Sequence, residues 1–366
     1  MIYKVYSDDP NAVGVVHKME DQRDAWIELG YEVDLYFLTA DGIVCNGEVV
    51  NSYNLNNSWR KRIFSNVEFY HKLIPLIKDR GYNLVYLRYG LSSKSLLRLL
   101  KHIKSINTES RILIEFPTYP YDQEYKSFLG KMLLFLDRTY RTRLKSYAEW
   151  GIDFGKSKTI YGITCINITN GINAARYKKW EPQYKNEGLR FIAVGTLWYW
   201  YGIDILLKRI ADYVSIEGNT EQVFLTVVGE GPEKAKLIRL SQDLGIEHLV
   251  SFVGIKKGEE LDRLFNQSNM GVGTLAIERK GVELSSSIKH REYAVRGIPF
   301  FYVGKDIRFD EYEKSIFFKV QKIDLEIIID FVERVSDKES KLEEDTLGWK
   351  SRFEYVLAQT KKETFH

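Results

Sequence analysis

The chain has 366 residues, 44% apolar and 28% charged, with 53 basic against 50 acidic side chains for a net charge of +3. That balance excludes a dedicated nucleic-acid binder, which carries a concentrated basic excess, and 24 Tyr, 19 Phe and 7 Trp exclude a disordered chain. Two cysteines, Cys45 and Cys165, supply neither a metal site of their own nor a disulfide scaffold, so a reducing compartment is the simpler setting.

The N-terminus reads MIYKVYSDDP, with Asp8 and Asp9 ahead of any long apolar run, so no signal peptide is expected. No run reaches the roughly 18 apolar residues that a membrane-spanning helix needs. Residues 3–6 are predicted as a strand and 16–29 as a helix closed by Gly30, where a left-handed residue is wanted. Residues 31–37 alternate as a strand does, 84–87 and 112–114 are short apolar strands, and a basic helix lies between them at 95–104. Residues 126–145 hold six basic side chains, one acid, Asp137, and an apolar run from Met132 to Leu136. A core helix with a solvated face fits this composition, and so does a helix lying on an anionic bilayer.

The second half is more regular. Strands are predicted at 189–194, 223–228, 250–253, 270–273 and 299–303, and helices at 203–214, 233–244, 258–267 and 285–296. Gly195, Gly229 and Gly254 close the first three strands, and a last helix spans 349–362. Strand, glycine turn and helix in alternation predict an α/β protein with parallel sheets covered by helices on both faces. At roughly 150 residues per domain, the length predicts two such doubly wound domains. They are expected at 1–178 and 179–345, facing each other across a cleft, with 346–366 returning to the first domain. In such sheets ligands bind beyond the carboxyl ends of the strands.

One stretch joins several chemically suitable groups. Ser285, Ser286 and Ser287 stand where serines cap a helix, and a helix start offers free N–H groups and a positive dipole to a phosphate. Lys289 follows in the first turn, and Glu292 lies three residues on, on the same face. A phosphate binder followed by a carboxylate suits a nucleotide, the acid gripping ribose hydroxyls. A surface helix with Lys289–Glu292 and Glu292–Arg296 ion pairs accounts for the same pattern.

Glu292 with Gly297-Ile298-Pro299 resembles the second half of the nucleotide-sugar motif of retaining GT-B glycosyltransferases of the group 1, or family 4, type. The Lys-x-x-Glu-Tyr and Gly-Ile-Pro-Phe form is similar to a subgroup from bacterial capsule and exopolysaccharide clusters. Further stretches agree in order: Val194-Gly195-Thr196-Leu197 with Gly202-Ile203-Asp204, Val228-Gly229-Glu230-Gly231-Pro232, Phe252-Val253-Gly254, Asn170-Gly171-Ile172, and Glu115 through Asp122. The resemblance implies a GT-B fold and a glycosyltransferase (EC 2.4) that moves a sugar from a UDP- or GDP-sugar to a glycan or lipid-linked acceptor. It also implies retention of configuration, with no cofactor beyond the substrate. A cytoplasmic location follows, with peripheral contact at the inner membrane.

The resemblance further implies a donor site of Gly195, Thr196, Gly229, Gly254, Arg279, Lys280, Ser286, Ser287, Lys289 and Glu292. Three positions depart from the family pattern. The first Glu of the motif falls at Leu284, which leaves Glu283 as the adjacent carboxylate, and Thr196 and Tyr201 stand where the family has the diphosphate-binding Arg and Lys. Glu283 and Lys289 are therefore the expected catalytic groups, and Arg279 and Lys280 the further cations. Gly14, His17, Arg88, Tyr119 and Asp122 are expected on the acceptor side. No Asp-x-Asp occurs in the chain, so no metal is expected on the diphosphate. A non-catalytic nucleotide-binding subunit and a sugar-nucleotide epimerase of the same fold are the competing readings.

Overall fold

The strand Leu189–Val194 (β10) reads LRFIAV, apolar on both faces because parallel neighbours flank it and helices cover it. In the computed structural model it is the third of six parallel strands. The structure describes residues 1–9, 12–53, 68–183, 188–216, 222–310, 316–335 and 347–362. The chain divides into two units, one of Met1–Thr169 with Trp349–His366, the other of Asn170–Gly348. The division falls earlier than the expected 178/179 and later than 345/346. Residues near the linker belong to the second unit's core: Ile172 is buried there and its N–H donates to Leu347 O, and Trp180 N–H donates to Arg296 O.

The first unit holds Ile2–Tyr6 (β1), Val13–Glu28 (α1), Tyr36–Leu38 (β2), Gly42–Cys45 (β3) and Glu48–Ser52 (β4). Phe69–Ile77 (α2), Leu84–Arg88 (β5), Lys94–Ile106 (α3), Arg111–Phe116 (β6) and Phe128–Tyr140 (α4) follow. Trp150–Asp153 (β7), Thr159–Ile160 (β8) and Ile163–Asn167 (β9) complete the sheet, whose strand order is β4-β3-β2-β1-β5-β6-β7-β9-β8. The centre is parallel, whereas β3, β4 and β8 run antiparallel to their neighbours. The predicted strand at 31–37 shortens to Tyr36–Leu38, because β1 offers Tyr36 to Leu38 as its partners. The β3–β4 hairpin turns at Asn46 and Gly47, with φ of 50° and 95°, the left-handed pair that a tight hairpin requires.

The last helix, Trp349–Lys362 (α10), packs in the first unit as its sequence suggested. Phe353 stacks on Trp26 of α1 at 4.2 Å between ring centroids, and Trp349 and Val356 join the same buried cluster.

The second unit holds β10, Ile203–Val214 (α5), Val223–Val228 (β11), Lys234–Asp243 (α6), Val250–Gly254 (β12), Gly258–Asn266 (α7) and Met270–Val272 (β13). Leu284–Ser285 (β14), Ile288–Arg296 (α8), Phe300–Val303 (β15), Lys305–Asp306 (β16), Phe317–Val320 (β17) and Leu325–Val335 (α9) follow. Its sheet order, β12-β11-β10-β13-β15-β17, is the doubly wound nucleotide-binding order, reversing direction between β10 and β13. The helix predicted at 285–296 starts later. Leu284 and Ser285 pair with Lys305 and Asp306 as a short parallel ladder, which holds them extended.

Candidate donor site

Three strand ends meet where the order of the second sheet reverses. Gly195 N–H donates to Val228 O, and Gly229 N–H donates to Gly254 O. A Cβ at Gly229 would lie 2.0 Å from Gly195 O, so no side chain fits where the two turns touch. Gly195, Gly229 and Gly254 all have positive φ. The glycines bare the backbone at the switch point, where ligands of such sheets bind.

Helix α8 begins at Ile288, after Ser287. Ser287 makes no side-chain cap bond, and its carbonyl accepts from Arg291 Nη1 at 2.9 Å. Ser286 instead ties down the segment after Thr169, its Oγ accepting from Asn170 N–H at 2.7 Å and its carbonyl accepting from Asn170 Nδ2. The Ser287 hydroxyl thus leaves the first-turn N–H groups their capacity for another acceptor.

Lys289, second residue of the helix, reaches toward β10. Its Nζ lies 3.6 Å from the centroid of the Tyr201 ring. A methyl group placed on Gly195 would lie 3.7 Å from its Cε and 3.8 Å from its Nζ. Among the described residues no carboxylate lies within the 4.0 Å of an ion pair to it. Burial pushes its pKa down to about 7, against the opposing pull of Glu292. A half-desolvated cation beside a glycine turn and above an aromatic face is prepared for an anion.

Glu292 lies one turn further on. Its Oε1 accepts from Arg296 Nε at 3.0 Å, whereas the Lys289–Glu292 pair of the surface-helix reading is not formed. Burial raises its pKa and Arg296 opposes that shift. Arg296 also binds Asp262 at 2.7 Å and lies 4.2 Å from the Phe265 ring centroid, so one fixed guanidinium holds both acids. Oε2 of Glu292 accepts no hydrogen bond among the described residues.

Beneath the helix is a buried trio that spacing did not reveal. Asp306 Oδ2 lies 2.9 Å from His290 Nδ1 and 3.1 Å from Arg291 Nη1, all three side chains being inaccessible to solvent. Thr274 N–H donates to His290 Nε2, so Nδ1 carries the proton and the ring is neutral; burial, the largest influence, lowers its pKa. Burial alone would raise the pKa of Asp306, but Arg291 and His290 outweigh it and bring it to about 2. Arg291 Nε donates to Asn170 O at 2.7 Å. Asp306 belongs to the strand paired with Leu284–Ser285, so the trio fixes α8 from below and thereby aims Lys289. Only the paired backbone of β14 and β16 brings Asp306 to the helix; nothing in its local sequence signals this.

The remaining expected residues divide. Arg279 is committed elsewhere: its guanidinium pairs bidentately with Asp204 at 2.8 and 3.0 Å and donates to Tyr199 O. It fastens its loop to α5 and is not a mobile cation. Lys280 Nζ lies 5.3 Å over Trp200, and Thr196 is half-buried after Gly195. Glu283 is exposed on a bend before β14, and Leu284 is held in the ladder.

In the first unit, Gly14 and His17 lie within the opening turns of α1. Arg88 pairs with Glu115 at 2.5 Å. Glu115 is fully buried and also takes Lys18 at 3.0 Å, Tyr86 OH at 2.6 Å and Gln22 Nε2 at 2.8 Å. Asp122 pairs with Arg138 at 2.8 Å, and the Tyr119 ring meets Tyr161 edge-on at 5.7 Å.

Residues 177–284 match the family model described as Glycosyl transferases group 1, a stretch that runs from the linker to β14 and ends before α8. No curated protein matches the sequence. Solved structures are similar over nearly the whole chain. Sucrose-phosphate synthase from Thermosynechococcus elongatus is 14% identical with a TM-score of 0.61, covering 94% of this chain and 92% of that one. WaaG, a glycosyltransferase involved in lipopolysaccharide biosynthesis, is 12% identical at 0.58, covering 92% and 89%. HepE from Anabaena, solved in complex with UDP-glucose, is 11% identical at 0.55, covering 92% and 88%.

The fold is therefore of the GT-B type, built from two Rossmann-like α/β units. With the match to glycosyl transferases group 1 at 177–284, it supports a GT-B glycosyltransferase.

Proposed function

We propose that this chain transfers a sugar from a UDP- or GDP-linked donor to a hydroxyl of a glycan or lipid-linked glycan, with retention, in bacterial capsule or exopolysaccharide assembly. The observation that carries the proposal is Lys289, a half-buried cation between the bare Gly195 turn and the Tyr201 ring, with Glu292 one turn along the same helix. The diphosphate lies against the N–H groups at the start of α8 and against the Lys289 ammonium. Glu292 receives the ribose hydroxyls on Oε2 while Arg296 holds Oε1.

Charge that builds on the leaving diphosphate is neutralised by groups fixed before reaction, so little reorganisation accompanies bond cleavage. The leaving phosphate itself takes the acceptor proton, and neither a metal nor a side-chain base is required. Glu283, adjacent to Leu284, is the carboxylate offered to the donor sugar's hydroxyls. His17, Tyr119 and Asp122 stand on the acceptor side, and the reaction is placed in the cytoplasm, at the membrane surface.

A panel of nucleotide sugars, screened by thermal shift and then by release of nucleotide with and without a glycan acceptor, tests the reading. A donor that raises the melting temperature and is turned over only with acceptor is the expected result. Turnover without acceptor identifies an epimerase or hydrolase. Binding without turnover identifies a non-catalytic subunit, a reading that Leu284, Thr196 and Tyr201 favour by their departure from the family pattern. No binding to any nucleotide sugar overturns the proposal.

A further inference from the structure

Helix α4 is amphipathic in the wrong sense for a core helix. Phe128, Leu129, Met132, Phe135 and Leu136 all face solvent, Phe128 being 82% and Phe135 68% exposed. Their spacing of three and four residues sets them on one side of the helix. The opposite side, turned inward, carries a carboxylate. Asp137 is fully buried and accepts from Tyr121 OH at 2.5 Å, from Ser92 N–H at 2.7 Å and from Tyr89 OH. Arg141 lies 3.4 Å from the same carboxylate.

This polar lock fixes the rotation of the helix. Turning the apolar side inward would carry Asp137 out to solvent and take this acceptor from the buried Ser92 N–H and the Tyr89 and Tyr121 hydroxyls, which is costly. The exposed apolar face is thus held outward by the fold, and such faces mark interaction sites.

The surroundings select the occupant. Between 126 and 145 the chain carries six basic residues and one acid, and that acid is the buried Asp137. Lys131, Arg138, Arg143 and Lys145 are exposed beside the apolar face, Arg138 pairing with Asp122. A second copy of the same face would bring two like-charged rims together, which is unfavourable. An anionic bilayer meets both features at once, its headgroups pairing with the cations while the Phe and Leu side chains enter the acyl boundary.

We infer that α4 is a membrane-docking helix that lays its Phe128–Leu136 face into an anionic phospholipid surface. This names the surface partner within the function proposed above, yet it rests on the geometry of α4 alone. Vesicle binding is measured without donor or acceptor, so its outcome is independent of catalysis.

The test is co-sedimentation of the full chain with vesicles of phosphatidylcholine alone or mixed with phosphatidylglycerol. Binding to the mixed vesicles, weakened by salt, is expected, with little binding to phosphatidylcholine alone. Phe128→Ser with Phe135→Ser should weaken binding by about tenfold or more, since two aromatic side chains lose their insertion. Lys131→Glu with Arg143→Glu should remove the preference for anionic lipid. Both variants alter exposed side chains, and an unchanged thermal melt verifies their fold. No binding of the wild type to anionic vesicles overturns the inference, as does equal binding by the Phe variant. Self-association dispersed by the Phe variant, with no vesicle binding, makes the face a contact between copies and overturns it as well.

Discussion

The Lys289 ammonium lies 3.6 Å from the centroid of the Tyr201 ring. Tyr201 stands where the resemblance expects a diphosphate-binding lysine, so the positive charge missing from that position reaches the same place from α8. In the proposed function the tyrosine ring is the platform on which Lys289 meets the diphosphate.

Replacing that cation should affect catalysis strongly. Lys289→Ala is expected to lower turnover by more than about tenfold, toward the 10²-fold cost of one lost charge-stabilising donor. Thr196→Ala should do much less, because a hydroxyl carries no charge. Steady-state kinetics on both variants decide the matter, and wild-type turnover in Lys289→Ala removes the lysine from the site.

Affinity for the nucleotide diphosphate should depend on pH. The free protein's Lys289 has a pKa of about 7, and a bound diphosphate raises it by favouring the charged form. Binding therefore takes up a proton above pH 7, and affinity falls as pH rises further. Calorimetry in buffers of different ionisation enthalpy measures that uptake, which should vanish in Lys289→Ala. Stability runs the other way. Between about 7 and the ordinary lysine value of 10.5 the unfolded chain holds this proton and the folded chain does not, so the lysine's contribution to stability rises with pH across that window.

Glu292→Ala should weaken nucleotide binding by about tenfold or more, the cost of a good charged hydrogen bond, with little change in melting temperature. Arg296 retains Asp262 at 2.7 Å, so no buried guanidinium is left alone. Unchanged affinity by calorimetry counts against the ribose role.

Activity should survive excess chelator, because Lys289 and the α8 N-terminus are assigned the charge that a divalent ion supplies elsewhere. Loss of turnover in EDTA, restored by magnesium or manganese, sinks this expectation.

In the first unit, Glu115→Gln should destabilise the fold by about 3–5 kcal/mol, since it removes the carboxylate charge that Lys18 and Arg88 face in a buried setting. Burial alone would raise the Glu115 pKa, but Lys18 and Arg88 outweigh it and bring it to about 2 from 4.5. The stabilisation is therefore complete above about 4.5 and is lost as pH falls toward 2. Acid-unfolding curves of the wild type and the variant should converge at low pH.

The sequence by itself determined the alternation of strand, glycine turn and helix, and with it the parallel sheets and the strand-end glycines. These are local properties: apolar runs of five or six residues, and turns that only glycine can make without a clash. It also determined the last helix, whose Trp349 and Phe353 needed a cover. The Asn46-Gly47 hairpin was equally legible, the pair being a strong turn signal, although a strand reading confined to 31–37 passes over it.

What only the tertiary structure decided are the side-chain partnerships. Arg279 reads as a free cation until Asp204, 75 residues away, takes it. Arg88 reads as a ligand contact until Glu115, on the neighbouring strand, neutralises it. The inward turn of Asp137, which drives the apolar face of α4 outward, depends on Tyr89 and Tyr121 from other segments. Asp306 meets His290 and Arg291 only because β14 and β16 pair. Periodicity records which face of an element a residue occupies; the charge that waits on the other side is set by a segment distant in sequence, and folding alone brings the two together.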